Sequence, residues 1–266
     1  HLDNTFTLVF GLEEMFLLSS SLRASHLIGL DNPFQDSTTQ VAVAQLEQAQ
    51  RQLVERGFLE VHPDGVAIDP GVFTLVEATA ACERTIVVSN GLPDGRAQPR
   101  YVHLAPDLIV EQETMPDGRV SLTAVRDRDT LAQRLRDFLC LPEVSKAPGD
   151  TLTLPESILK EAQDLATSEG KQANRAVLQQ AGVPAKVGSA LTAALAEAAG
   201  TGSLAVLDRR AGRASREESL AWLIGPKGGW EIQPVAEKPG TVRLTPASTA
   251  EIGQHITDLL KSVGAG

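Results

Sequence analysis

Arg209, Arg210, Arg213 and Arg216 crowd one short stretch of the chain. A guanidinium offers a planar fork of donors that matches a carboxylate or a phosphate, so such a cluster is a candidate site for an anionic ligand or an acidic protein surface. The competing explanation is a solvated loop between two strands, neutralised by Asp208, Glu217 and Glu218. The charge balance favours the loop. A second loop, Gly91 to Pro99, brings Leu92, Pro93 and Arg96 to the surface. Both loops follow the first strand of a run of strands, and a rigid sheet can present such loops without disturbing its core. Arginine and exposed leucine are residue types that supply anchors and rims in protein interfaces. Leu92, Arg96, Arg209, Arg210 and Arg213 are therefore the candidate partner-binding residues. That both loops are merely tolerated insertions stays open.

Other chemistry is poorly supported. His26, His62, His103 and His255 are scattered singly, and none has Cys, Asp or His at metal-ligand spacing. Cys82 and Cys140 are too few for a disulfide framework and read as small buried apolar residues in a reducing compartment. There is no nucleophile elbow. Gly200-Thr201-Gly202 precedes a strand instead of following one, so it is no dinucleotide fingerprint. Gly225 to Gly229 suits a hairpin turn better than a phosphate cradle. Glu13-Glu14 and Asp127 with Asp129 read as solvated faces or caps. Trp222 and Trp230 flank that turn and are placed to stack across the hairpin. No catalytic residue, cofactor or metal is expected.

The formal charge of −10 argues against nucleic acid and anionic membrane surfaces, which demand Lys and Arg. The point matters because Leu53 to Pro70 reads as helix, glycine, hairpin and helix, the outline of a winged helix. Residues 1–90 hold four Arg, no Lys and twelve Asp or Glu, a net of −8. DNA binding through that segment is not expected. The apolar stretch Leu8 to Leu18 is broken by Glu13 and Glu14, so neither a membrane span nor a leader is expected there. His1 is given no functional weight. The expected location is the cytoplasm.

Stepping along the chain, residues 8–28 follow a helical pattern through Leu12, Phe16, Leu22 and His26, and 29–39 reads as a loop. A helix is predicted over 40–56, with Val43, Leu46, Leu53 and Val54 as its apolar points and Gly57 as its stop. A hairpin turns at His62-Pro63-Asp64-Gly65, and Asp69-Pro70 opens a helix to Ala81. Strands follow at 84–89, 101–104, 108–113 and 120–125, then a helix over 129–139. After a linker at 142–150 come helices at 155–168, 171–181 and 184–198. Strands at 203–208, 220–224, 230–235 and 241–245 lead to a last helix over 248–263.

This order is an internal repeat. Val120-Ser121-Leu122-Thr123 matches Val242-Arg243-Leu244-Thr245, and Leu131, Leu135 and Leu139 match Ile252, Ile256 and Leu260. The expected fold is α/β of the α+β type: a central, mostly antiparallel sheet with helical bundles. It has two quasi-repeated halves, 1–141 and 142–266, that form one compact unit.

The run Leu204-Ala205-Val206-Leu207-Asp208-Arg209-Arg210, the strand ending at Ile224, the Gly-Gly-Trp turn, Val242 to Ala247 and the closing helix to Leu260 resemble the EspG-type cytosolic chaperones of mycobacterial type VII secretion. Arg56-Gly57 and Ile68-Asp69-Pro70 before a helix are similar too. The resemblance implies a quasi-two-fold fold and a non-enzymatic chaperone or adaptor. Its partner would be a helical secreted protein of PE–PPE or WXG-like type, with no nucleic acid and no membrane insertion. It carries over no binding residue and no oligomeric state. A ligand-sensing regulator with a degenerate winged-helix start is the alternative, and a hydrolase or transferase the third reading.

Overall fold

The computed structural model describes residues 6–22, 27–91, 96–168, 170–209 and 215–263, with backbone alone at 215–217. The chain divides into two compact units. The first comprises His1–Val87, Pro99–Leu131 and Leu207–Ser215, and the second Val88–Gln98, Ala132–Val206 and Arg216–Gly266.

The elements of the first part of the chain are β1 (Phe6–Phe10), α1 (Leu12–Ser21), α2 (Thr39–Glu55), β2 (Leu59–His62), β3 (Gly65–Ile68), α3 (Pro70–Ala81), β4 (Arg84–Gly91), β5 (Ala97–Leu104), β6 (Ile109–Thr114), β7 (Val120–Val125) and α4 (Arg128–Leu139). Their strands lie in the order β1-β7-β6-β5-β4, and β2 and β3 form a separate two-stranded ribbon. Local chemistry sets the helix starts. Thr38 caps α2 by accepting from the Val41 amide. Asp69 accepts from the amides of Gly71 and Val72, and Pro70 occupies the first helical position of α3, where a missing N–H costs nothing. The core gathers Phe10, Met15, Leu18, Leu53, Leu59, Val72, Leu75, Val110 and Leu122. Beneath it, the buried Glu14 carboxylate accepts from the Gly11 amide at 2.7 Å and from Arg56 Nη1 at 2.9 Å. The Arg56 guanidinium in turn lies 4.4 Å from the Phe58 ring centre.

The second part runs β8 (Leu152–Pro155), α5 (Glu156–Ser168), α6 (Lys171–Gln180), α7 (Ala185–Ala196), β9 (Gly200–Asp208), β10 (Ser215–Gly225), β11 (Gly228–Pro234), β12 (Thr241–Ala247) and α8 (Thr249–Ser262). Its strand order is β9-β10-β11-β12-β8. The core holds Leu154, Ala162, Leu178, Val187, Leu191, Leu223, Trp230 and Leu244. Ser248 and Glu251 form a reciprocal capping box at the start of α8. Glu251 also meets Lys146 at 2.5 Å. That contact and the cap hold its carboxyl down at about 2.

The same topology is therefore built twice. Each time a four-stranded antiparallel meander ends on a strand, β7 or β12, that pairs with the opening strand of its half, β1 or β8. The matched positions share one fate: Leu122 and Leu244, Leu131 and Ile252, Leu135 and Ile256, and Leu139 and Leu260 are all buried. Each such side chain contributes roughly 1.5–3 kcal/mol by leaving water.

Five expectations change. Residues 8–28 are not one helix: β1 occupies Phe6–Phe10 before α1 begins, and β8 fills a stretch between linker and helix to which no element was assigned, taking Pro155, where the helix was expected to be under way. Of the four apolar points assigned to α2, Leu53 is buried, whereas Val43 and Val54 stand exposed at 49% and 41%. Trp222 opposes Glu231 and Trp230 opposes Leu223, so strand alternation sends the two indoles to opposite faces and they do not stack. Cys82 is buried as expected, but Cys140 is exposed. It ends α4 with φ 42°, the left-handed position that glycine usually takes.

Candidate partner-binding site

The second unit contains a groove of about 290 Å³. Leu223 of β10 and Ile232 of β11 line it from the sheet, Leu159 and Gln163 from α5, and Leu195 from α7. Leu159 and Gln163 are four residues apart and share one face of their helix. Arg96 of the β4–β5 connection and Ala97, the first residue of β5, complete this side. Glycines let this region close up. A Cβ at Gly91 would lie 1.9 Å from Thr201 Oγ1, and one at Gly202 would lie 2.3 Å from the Trp222 ring. Leu223, Leu159, Leu195 and Ile232 belong to or pack on the core of this unit. The groove thus pairs an apolar lining with an arginine and an amide, the composition of a protein-recognition surface. Among its described lining residues Ser89, Thr201 and Ser203 carry hydroxyls, and no His, Asp or Glu accompanies them as a base.

The two arginine-bearing loops are equivalent in topology, β4 to β5 and β9 to β10, and both are shorter than expected. The first spans 92–96 and the second 209–214. Each belongs to the unit that holds the other part of the chain: Val88–Gln98 to the second unit, Leu207–Ser215 to the first. Arg96 consequently borders the same groove as Leu159 of α5 and Leu195 of α7. Arg209 settles against α3, its backbone N–H donating to Glu83 O at 2.7 Å and its Nη1 lying 3.4 Å from Thr79 O and 3.7 Å from Cys82 Sγ. Arg96 thus borders the groove of the second unit, and Arg209 belongs to the first. Leu92, Arg210 and Arg213 lie outside the described residues.

Beneath Arg209 is a buried polar chain. His103 Nε2 lies 2.9 Å from Gln112 Oε1, while Gln112 Nε2 donates to Ile28 O at 3.0 Å. The amide orientation makes Nε2 the protonated nitrogen. Nδ1 is then the acceptor, with Thr85 Oγ1 at 3.3 Å and Cys82 Sγ at 3.5 Å. Burial pushes the His103 pKa down to about 4, against the Gln112 hydrogen bond and with help from the Arg209 charge. This histidine is a neutral core residue.

The remaining histidines stand apart. His62 meets Glu60 at 3.4 Å on the exposed ribbon, and His255 Nδ1 lies 2.7 Å from Glu231 Oε2. His26 lies outside the described residues. Among the described residues no three His, Cys, Asp or Glu gather as metal ligands, and no helix is long and apolar enough to cross a membrane. A larger depression of about 640 Å³ is bordered by Glu218, Gln233, His255 and Asp258, and neither Arg96 nor Arg209 is among its described lining residues. The groove residues that sequence reading missed, Leu159, Gln163, Leu195, Leu223 and Ile232, converge only through tertiary packing. The amphipathic pattern of 155–168 was their one visible signal.

A model of the EspG family matches residues 12–258. No curated protein matches the chain. Among solved structures the chain is similar to the Mycobacterium tuberculosis type VII secretion system chaperone EspG5, solved in complex with a PE25–PPE41 dimer. The TM-score is 0.65 at 16% identity, over 95% of this chain and 95% of that one. At that identity the likeness is one of fold. The family match spans nearly the whole chain, from α1 to α8: the chain belongs to the EspG family.

Proposed function

We propose that this protein is a cytoplasmic, non-enzymatic chaperone that holds a helical secreted substrate of PE–PPE or WXG-like type before export. The observation that carries the reading is whole-chain likeness to a secretion chaperone solved in complex with a PE25–PPE41 dimer, in a chain whose own groove offers apolar contacts beside an arginine. An apolar contact with one guanidinium is suited to a partner that must be kept soluble without being altered. The proposed surface is the 92–96 loop, with Leu92 and Arg96, and the adjoining groove. Arg210 and Arg213 of the equivalent loop complete the candidate set with Arg209, which lies against α3. The two related halves proposed for the chain are 1–141 and 142–266. Family membership favours this reading over a ligand-sensing regulator.

The test is co-expression with helical secreted pairs encoded by the source organism, followed by co-purification. The expected result is a stable complex with at least one pair, weakened by deletion of Leu92 to Ala97. Unchanged affinity in that variant and in Arg210→Ser/Arg213→Ser would move the contact elsewhere on the protein.

A further inference from the structure

The outer face of α2 and the β2–β3 ribbon have no role in the core. Of the seventeen residues of α2 only Ala49 and Leu53 are buried, and the ribbon holds on to the core through Leu59 at its base. Yet the outward side is not polar. Val43 and Val54 are exposed on α2, and Val61 and Val66, opposed in register across the ribbon, are exposed at 56% and 51%. Val43, Glu47, Gln50 and Val54 follow the helical repeat and share one face. A groove of about 430 Å³ runs between this face and the ribbon, lined by Glu47, Gln50, Arg51, Val54, Glu55 and Val61.

Its charge is one-sided. Two carboxylates of its lining, Glu47 and Glu55, stand against Arg51, and Asp64 is exposed at the turn of the ribbon, while Glu60 sits on the ribbon face opposite Val61. Arg56 does not offset them, because its guanidinium is engaged by Glu14 and Val9 O. Nucleic acid and anionic lipid are repelled by such a rim. A second copy would bring the same carboxylates against it, and like charges across an interface are costly. The complementary occupant carries aliphatic side chains flanked by lysine or arginine.

We propose that this α2–ribbon groove is a docking site for a second protein, which it takes through a cationic amphipathic segment. The site lies wholly in the first unit and is distinct from the proposed substrate groove of the second, so the protein can hold two proteins by different chemistry. Exposed valines opposite acidic side chains, at positions the core does not need, are what such a site requires.

The probe is a labelled synthetic helix with leucine on one face and lysine on the other, followed by fluorescence anisotropy. The wild-type protein is expected to bind it, and to bind a glutamate-for-lysine version at least about tenfold more weakly. Glu47→Lys/Glu55→Lys and Val54→Ser/Val61→Ser should each weaken binding about tenfold, with melting temperatures unchanged because every altered side chain is exposed. Amide shift changes in NMR should map to α2 and the ribbon. Binding that ignores both variants, equal binding of the acidic helix, or shifts confined to other elements would overturn the proposal. So would a dimer at high concentration that Val54→Ser/Val61→Ser abolishes, which would assign the face to a second copy. Co-purification with a secreted substrate should be unaffected by these variants. Its loss would show that one surface serves both roles and would also overturn the separate site.

Discussion

Glu111 and Glu231 hold the same position in the two halves. Each stands on the third strand of its meander, directly opposite the threonine of a V-x-L-T strand: Glu111 opposes Thr123 and Glu231 opposes Thr245. Both are buried, at 3% and 5% exposure. A buried carboxylate persists only where something satisfies it, and the halves solve this differently. Glu111 takes Arg100 from the neighbouring strand at 2.7 Å, whereas Glu231 takes His255 from the closing helix at 2.7 Å. On β10 the place of Arg100 is taken by Leu220, which leaves Glu231 to its helix.

Arg100 also reaches Glu113 at 2.8 Å, and only 12% of its side chain is exposed. Replacing it by methionine strands a carboxylate inside the sheet. Arg100→Met is expected to cost about 3 kcal/mol, and His255→Met, where water reaches the site, about 1 kcal/mol. Urea denaturation of the two variants checks the order. A larger loss at His255 would mean that the helix contact, not the cross-strand pair, carries the stability.

The pH dependence follows from His103. Its pKa falls from 6.5 to about 4 on folding. Below about 6.5 the unfolded chain binds a proton that the folded chain refuses, so stability is full above that pH and falls as the pH drops through 4. The expected loss over the window is about 3 kcal/mol. Denaturant midpoints measured across it should slope downward with acid. The slope should flatten in His103→Leu, whatever that variant's starting stability. An equal slope in the variant would assign the effect to other groups.

Cys140 occupies the left-handed position after α4 without being glycine. Cys140→Gly should stabilise the protein by about 0.5–1 kcal/mol, the usual difference when a side chain is removed from that conformation. The readout is a thermal melt under reducing conditions. A drop in melting temperature would show that the cysteine side chain contributes contacts worth more than its strain.

The acid-rich first ninety residues should keep α2, the ribbon and α3 from binding DNA despite their winged-helix order. No retarded band is expected in a gel shift at micromolar protein near physiological ionic strength. A band removed by added salt would contradict the reading of the charge.

Much of this fold was legible where local chemistry and periodicity agree. Asp69-Pro70 and the Ser248–Glu251 box marked helix starts to the residue, and the V-x-L-T match located β7 and β12. The two strands missed, β1 and β8, are counterparts: each opens its half and lies beside the last strand of the meander. Both are short and lead into a helix; the helical pattern of 8–28 absorbed β1, and the four residues of β8 were too few to show a strand period. Their strand character comes from the long-range partners Val120–Ala124 and Thr241–Leu244, not from neighbours in sequence. The site was legible in part for the same reason. The loop bearing Arg96 showed itself by its turn residues, whereas its meeting with Leu159 and Leu195 depends on packing that no local pattern records. Val43 and Val54 were misassigned because periodicity finds an apolar residue without saying which neighbour, if any, will cover it.

The most direct test of the chaperone reading is the solubility of a helical secreted pair from the same organism, expressed alone and together with this protein. Co-expression should move the pair into the soluble fraction as a complex, and the Leu92 to Ala97 deletion should return it to the insoluble fraction while the variant itself stays folded. A pair whose solubility and size are indifferent to this protein, across every candidate the organism encodes, would contradict it.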